Sequence, residues 1–198
     1  GKYPHVNGAI TFNAMDPTHV TFPQLLRFSG YYTAMIGKWH LHVDPVGFDY
    51  WNVLPGQGAY FDPKFNEMGK PKKHDGYVTD VVTNIALQTL ENRPKDQPFC
   101  MLYHHKAPHD PFLFDEKHAH LYEDVEIREP ENLFDDYETR SKAIQSSTQV
   151  IGSEFPGHTL YKDETGDISD PVKRRKAQYQ IYLKSYLRCV ASIDDNVG

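Results

Sequence analysis

Apolar residues recur along this chain at two different periods, and the switches between them mark out its elements. In "VTFPQLLRFSG", Phe22, Leu25, Leu26 and Phe28 fall at helical spacing, with Thr21 as N-cap, Pro23 in the first turn and Gly30 as the stop. Tyr32, Ala34 and Ile36 then alternate with Thr33 and Met35, leaving no strongly polar face. That pattern predicts a strand covered on both sides in a largely parallel sheet, closed by Gly37. A second unit repeats the order: Asp75 as cap, Val78, Val81, Val82, Ile85, Ala86 and Leu90 at helical spacing, the breaker "NRPKDQ", and an apolar strand over Phe99 to Tyr103. From Pro171 onward Tyr179, Tyr182, Leu183, Tyr186, Leu187, Val190, Ile193 and Val197 predict one long amphipathic helix, started by Asp170 and Pro171. Residues 110–170 are acidic, aromatic and poorly periodic, so they are expected to be irregular loops, either covering a cleft or running over the solvated surface.

Both predicted strands end in ionisable residues. Lys38 and His40 follow the first; His104, His105, Lys106 and His109 follow the second. In open α/β sheets the carboxyl ends of strands are where ligands bind. If the chain stays extended past Gly37, Lys38 and His40 share a face. A pocket of lysines and histidines suits an oxyanion such as sulfate, phosphate or carboxylate, and imidazoles near neutrality also move protons. His104 and His105 are neighbours and point to opposite faces, so at most one of them faces the pocket; His105 shares parity with His109, with Pro108 between. Lys106 ranks behind these.

Composition narrows the function classes. With 198 residues, 39% hydrophobic and 24% charged, the chain is long enough for one compact α/β core. A net charge of -6 and a pI near 6.0 argue against nucleic acid or an anionic membrane as partner. The basic run Lys173 to Lys176 is expected to be a solvated helix face. No apolar stretch approaches the length of a membrane span. Cys100 and Cys189 sit in apolar patterns and read as two buried small hydrophobes, not a disulfide. The chain opens on Gly1 and stops at Gly198 directly after the helical pattern, so it is read as the internal part of a longer protein, and its compartment is left open.

"GYYTAMIGKWHL" (30–41) together with "PFCMLYHHKAPHDP" (98–111) resembles the sulfatases of the alkaline-phosphatase-like superfamily. "GKYPHVNG" (1–8) is similar to the segment after the CxPSR nucleophile signature; "DPVGFDYW", "GQGAYFDPKF" and "YLRCVASIDDNVG" also resemble family text. The resemblance implies a three-layer αβα domain with a largely parallel, mixed sheet, of which residues 1–198 form the central part and are incomplete. It implies a sulfuric-ester hydrolase acting on sulfated sugars or glycans. Lys38 would contact the sulfate and a hydrated formylglycine nucleophile, His40 would deprotonate that hydrate to expel sulfate, and His109 would assist the leaving alcohol. Lys38, His109 and His105 are the expected substrate contacts. Fixed cations are what such chemistry needs, because negative charge builds on the departing oxygen.

The nucleophilic cysteine, its arginine, the calcium ligands and a further sulfate-binding lysine belong to family segments absent from this chain. The chain is therefore expected to hold part of an active site, to be inactive alone, and to carry no metal ligands of its own. Formylglycine and calcium would come from those other segments, with a formylglycine-generating or sulfatase-maturing enzyme as partner. Periplasmic, secreted or lysosomal placement follows from the family alone. His42 stands where many members have glycine, which alters the local turn or pocket mouth. Three readings compete: a phosphate or phosphonate ester hydrolase of the same superfamily, a zinc hydrolase using His40 with His42, His118 with His120 or His105 with His109, and a non-catalytic fold fragment. Asp194 and Asp195 read as helix-surface carboxylates.

Overall fold

The computed structural model describes residues 14–148, 150–151 and 162–198, the side chains of residues 162 and 163 excepted. The segment 1–8 and part of the 110–170 stretch, both singled out above, lie outside the described residues. The chain divides into two compact units, Gly1–Lys106 and Ala107–Gly198.

The first unit is a five-stranded mixed sheet with helices on it. Its elements are α1 (Phe22–Phe28), β1 (Tyr32–Trp39), β2 (Tyr50–Pro55), β3 (Lys64–Glu67), β4 (Lys70–Lys73), α2 (Val78–Asn92) and β5 (Phe99–His104). The strand order is β4-β3-β2-β1-β5; β1 runs parallel to both β2 and β5, while β3 and β4 are antiparallel. The α/β fold with a largely parallel, mixed sheet is thus as expected. The β3–β4 hairpin has no counterpart in the sequence reading. Its signal was the turn Met68-Gly69, both at positive φ, between two short polar strands. All four residues of β4 are exposed, and its lysines and Pro71 suit an open sheet edge that must not pair further.

β1 is the middle of the sheet and is buried from Thr33 through Gly37. On one face Met35, Phe48, Trp51 and Val53 form a core cluster, with Trp39 and Leu102 packed against it. On the other, α2 crosses β1 and β5 and presents Val78, Val82 and Ile85, all buried. The Thr83 and Tyr103 hydroxyls, 2.5 Å apart, tie helix to strand there. Asp49 fastens the start of the sheet: it accepts from Arg27 Nε at 2.7 Å and from the Thr33 N–H at 2.9 Å, joining α1, β1 and β2. A cavity of about 820 Å³ lies between α1 and the Trp39–Leu102 face; it is lined mainly by apolar side chains and carries no lysine.

Two boundaries differ from expectation. The strand does not close at Gly37 but runs through it to Trp39, so Lys38 is part of β1. Gly37 has φ +99°, and a Cβ there would meet the His104 carbonyl oxygen at 1.9 Å. Only glycine lets β1 and β5 pair this closely. Asp75 does not cap α2; Tyr77 is the N-cap, and Asp75 reaches toward Lys73 instead. Two residues too far from the first turn, its carboxylate cannot reach the free N–H groups.

The second unit is organised by its long helix, here α5 (Pro171–Val197), with Asp170 accepting from the N–H groups of Val172 and Lys173 as predicted. Among the described residues, a 3₁₀ turn (Glu116–His118), α3 (Lys142–Gln145) and α4 (Lys162–Thr165) are the other elements. The segment from His118 to Arg128 is irregular but is bound to α5. Gln180 donates to Ile127 O at 2.7 Å and accepts from Ile127 N at 2.9 Å. Lys184 donates to Glu123 O, Arg188 to Leu121 O, and Tyr179 to Arg128 O. His118 Nε2 lies 3.0 Å from Asp195 Oδ2. Side chains one helical turn apart thus satisfy backbone groups that a sheet would otherwise pair. Asp195 is more than a surface carboxylate. The basic run is likewise engaged: Lys176 pairs with Glu129 at 2.7 Å, Arg174 donates to Ile168 O and Arg175 to Ile151 O. Cys189 is buried as expected, Cys100 only half-buried, and neither forms a disulfide.

Two outcomes follow from this packing. Gly37→Ala should destabilise the protein by about 2 kcal/mol or more, since the methyl group meets a backbone oxygen and the residue must hold a left-handed φ; chemical denaturation measures it. His105 supplies the second. Its ring packs edge-on to Tyr103 at 4.4 Å, both ring nitrogens are buried without a hydrogen-bond partner, and burial pushes its pKa down to about 4, against a weaker opposing pull from Asp80. Because the unfolded chain protonates this imidazole near its ordinary value and the folded chain does not until about pH 4, stability should fall as pH drops from about 6.5 to about 4. His105→Phe keeps the ring and should flatten that part of the melting-temperature profile, an effect of roughly 1–2 kcal/mol after allowance for partial exposure.

Candidate active site

The parallel strands β2, β1 and β5 end side by side, and each delivers a polar group there. β1 delivers Lys38 and, one residue beyond its end, His40. β5 delivers His104, followed by His105 and the buried Lys106. β2 delivers Gln57 from the turn Gly56-Gln57-Gly58, in which both glycines have positive φ and the Gly56 N–H donates to Trp39 O at 3.1 Å. A side chain at residue 58 would strike Leu54 Cδ2 at 2.3 Å, so the turn can fold back over β2 only with glycine there.

Lys38 Nζ donates to Gln57 Oε1 at 2.8 Å. Lys106 Nζ donates to the main-chain oxygen of the same residue at 2.9 Å and lies 4.7 Å from the Tyr60 ring centroid. Two ammonium groups are therefore gathered on one residue at the carboxyl end of the sheet, which makes this edge strongly attractive to an anion. Trp39 points the other way along β1, its indole N–H donating to Val43 O at 2.6 Å. The rings of His40 and His42 have centroids 5.1 Å apart, and His42 holds φ +58°, a left-handed conformation that glycine adopts most easily. The position at which the family resemblance leads one to expect glycine is thus one where the backbone is left-handed.

His105 contributes no cation here, because burial keeps its imidazole neutral down to about pH 4. His109 belongs to the second unit. There its Nδ1 lies 2.8 Å from Asp110 Oδ1 and 2.8 Å from Asp110 O, an arrangement that fixes the orientation of the ring. Asp110, Gln57 and the buried state of Lys106 were not singled out from sequence. The first was legible as the neighbour of His109; the other two depend on contacts between distant segments. Among the described residues no group of three or more His, Cys, Asp or Glu side chains comes together to hold a metal ion. Neither Cys100, in β5, nor Cys189, buried in α5, stands in this cluster.

The sulfatase family matches residues 1–198. An N-acetylglucosamine-6-O-sulfatase of Bacteroides thetaiotaomicron is 37% identical, over all of this chain and 43% of its own length. The human N-acetylglucosamine-6-sulfatase is 29% identical over 63% of this chain and 27% of its own length. A solved enzyme in complex with its substrate D-glucosamine-2-N,6-O-disulfate superposes with a TM-score of 0.85 at 34% identity, covering 100% of this chain and 49% of the other. The chain thus spans less than half the length of these relatives. With the family matched end to end and the fold shared at that identity, the chain belongs to the sulfatases.

Proposed function

We propose that the protein hydrolyses sulfate monoesters of amino sugars, most directly the 6-O-sulfate of an N-acetylglucosamine or glucosamine unit. The single observation that carries the reading is the paired cation cluster at the ends of β1 and β5, Lys38 and Lys106 on Gln57, in a chain that resembles glucosamine 6-O-sulfatases over its whole length. Displacement at sulfur passes through a five-coordinate transition state with negative charge building on the departing oxygen, and it needs fixed positive charge in a site of low water content. Lys38 holds the sulfate oxygens. His40, at the end of the same strand, exchanges a proton beside the bound sulfate. His109, oriented by Asp110, delivers a proton to the bridging oxygen as the sugar alcohol leaves. His105 joins the substrate only as a neutral imidazole.

A formylglycine nucleophile and calcium are general features of the family. Neither cysteine stands in the cluster, and among the described residues no metal site is assembled, so the described residues do not fit either group. In this reading they come from other segments, the first through a sulfatase-maturing enzyme. Residues 1–198 then form the central part of the catalytic domain, with 110–170 bordering the substrate cleft. A periplasmic, secreted or lysosomal setting suits such an enzyme; among the described residues no helix is long and apolar enough to cross a membrane.

Substitutions in the full-length enzyme test the roles. Lys38→Ala should lower kcat/KM for a 6-O-sulfated N-acetylglucosamine by about 100-fold or more. His109→Ala should cost sugar sulfates about 100-fold while sparing activated aryl sulfates, whose leaving oxygen needs no proton; equal losses on both would remove the acid role from His109. His40→Ala should slow both substrate classes alike. Metal analysis separates this from a zinc site: bound zinc that disappears in His40→Ala would end the sulfatase assignment of that residue.

A further inference from the structure

Lys106 adds charge to the cluster, but none of the roles assigned to Lys38, His40 and His109 uses its buried ammonium directly. Lysine is rarely buried because taking its charge out of water is costly unless polar partners replace the hydration. Lys106 is only 4% exposed, and its ammonium is turned toward the Gln57 carbonyl and the face of Tyr60, itself 2% exposed. That orientation does not suit a group meant to grasp a substrate directly. Gln57 is the opposite case. It is an exposed residue at the tip of a turn between two glycines, where the backbone has little intrinsic stiffness. Even so, its side-chain oxygen holds Lys38 at 2.8 Å. The Gly56 N–H on Trp39 O and the contact of Lys106 with the carbonyl of residue 57 together anchor that turn, and the charge-assisted one is the stronger kind of hydrogen bond.

We propose that Lys106 is a positioning residue: by holding the main chain of Gln57 it fixes the turn from which the Gln57 side chain orients Lys38. Lys106 acts through Gln57, and Gln57 through Lys38, without either touching the reacting bond. The inference rests on the reading of Lys38 as the sulfate-contacting cation. Its geometric part, that Gln57 and Lys106 restrain the Lys38 amine, stands independently of the reaction. Tyr60 completes the arrangement by giving the ammonium an aromatic face in place of water.

The experiment compares full-length enzyme with Gln57→Ala, Lys106→Met and the double variant. Two readouts are taken: kinetics on N-acetylglucosamine 6-sulfate, and the rate at which the Lys38 amine is acylated by acetic anhydride, followed by mass spectrometry. Each single substitution should lower kcat by about 10- to 100-fold with a smaller change in KM, because the cation is misplaced by a fraction of an ångström to an ångström. The double variant should be no worse than the poorer single one, and Lys38 should be acylated several-fold faster in all three. Losses that multiply in the double variant would overturn the proposal, since a merely structural Lys106 acts independently of the Gln57 side chain. So would Lys38 acylation that matches the parent in folded Gln57→Ala, an exposed site whose substitution leaves folding intact even where Lys106→Met does not fold. Faster acylation in an enzyme that releases no sulfate would refute the sulfatase reading and leave this restraint standing.

Discussion

The close approach of β1 and β5 at Gly37 is the constraint from which the arrangement of this site follows. A Cβ at that position would sit 1.9 Å from the His104 carbonyl oxygen, so the pairing of Gly37 with His104 exists only because residue 37 has no side chain. That pairing carries parallel hydrogen bonding to the last residue of β5, two residues short of the end of β1. It therefore brings the residue after Gly37, which is Lys38, and the residues after His104 to one end of the sheet. The strand that bears the chemistry is also the most completely buried one, with α2 over one face and the Met35–Trp51 cluster on the other. Ionisable groups begin where that burial ends.

The second unit solves a different problem. Its long irregular segment has many backbone groups and little secondary structure to pair them. α5 supplies partners from Tyr179, Gln180, Lys184, Arg188 and Asp195, which lie on successive turns of one face. Aromatic packing reinforces this, with Phe112 against Tyr182 and Tyr186 and the Arg188 guanidinium over Phe114.

Much of the fold was legible because burial imposes periodicity. The apolar alternation of Tyr32 to Ile36, the helical spacing from Val78 and the Asp170–Pro171 start were each read correctly, since each depends on residues within a turn or two of one another. The errors were of the opposite kind. Gly37 was read as a stop, because glycine usually ends a strand; here it permits a close strand contact instead. Asp75 was read as a cap, because Asp is a favoured N-cap, but the helix begins too late for it to reach. The β3–β4 hairpin was not foreseen, because its strands are four residues each and polar.

By itself, the sequence determined which ionisable groups stand at strand ends, since the order of apolar runs and the residues that follow them are local properties. It also determined the family, through "GKWH" and "KAPHD". Only the tertiary structure decided the electrostatic state of those groups. Lys38 and Lys106 look alike in sequence; one is half-exposed on Gln57 Oε1 and the other is buried on its carbonyl, through contacts that span 19 and 49 residues. His104 and His105 are adjacent, yet one is exposed and the other is held neutral to about pH 4. Burial and hydrogen-bond partners set a group's charge and position, and they come from segments far away in the chain, so no local pattern can encode them.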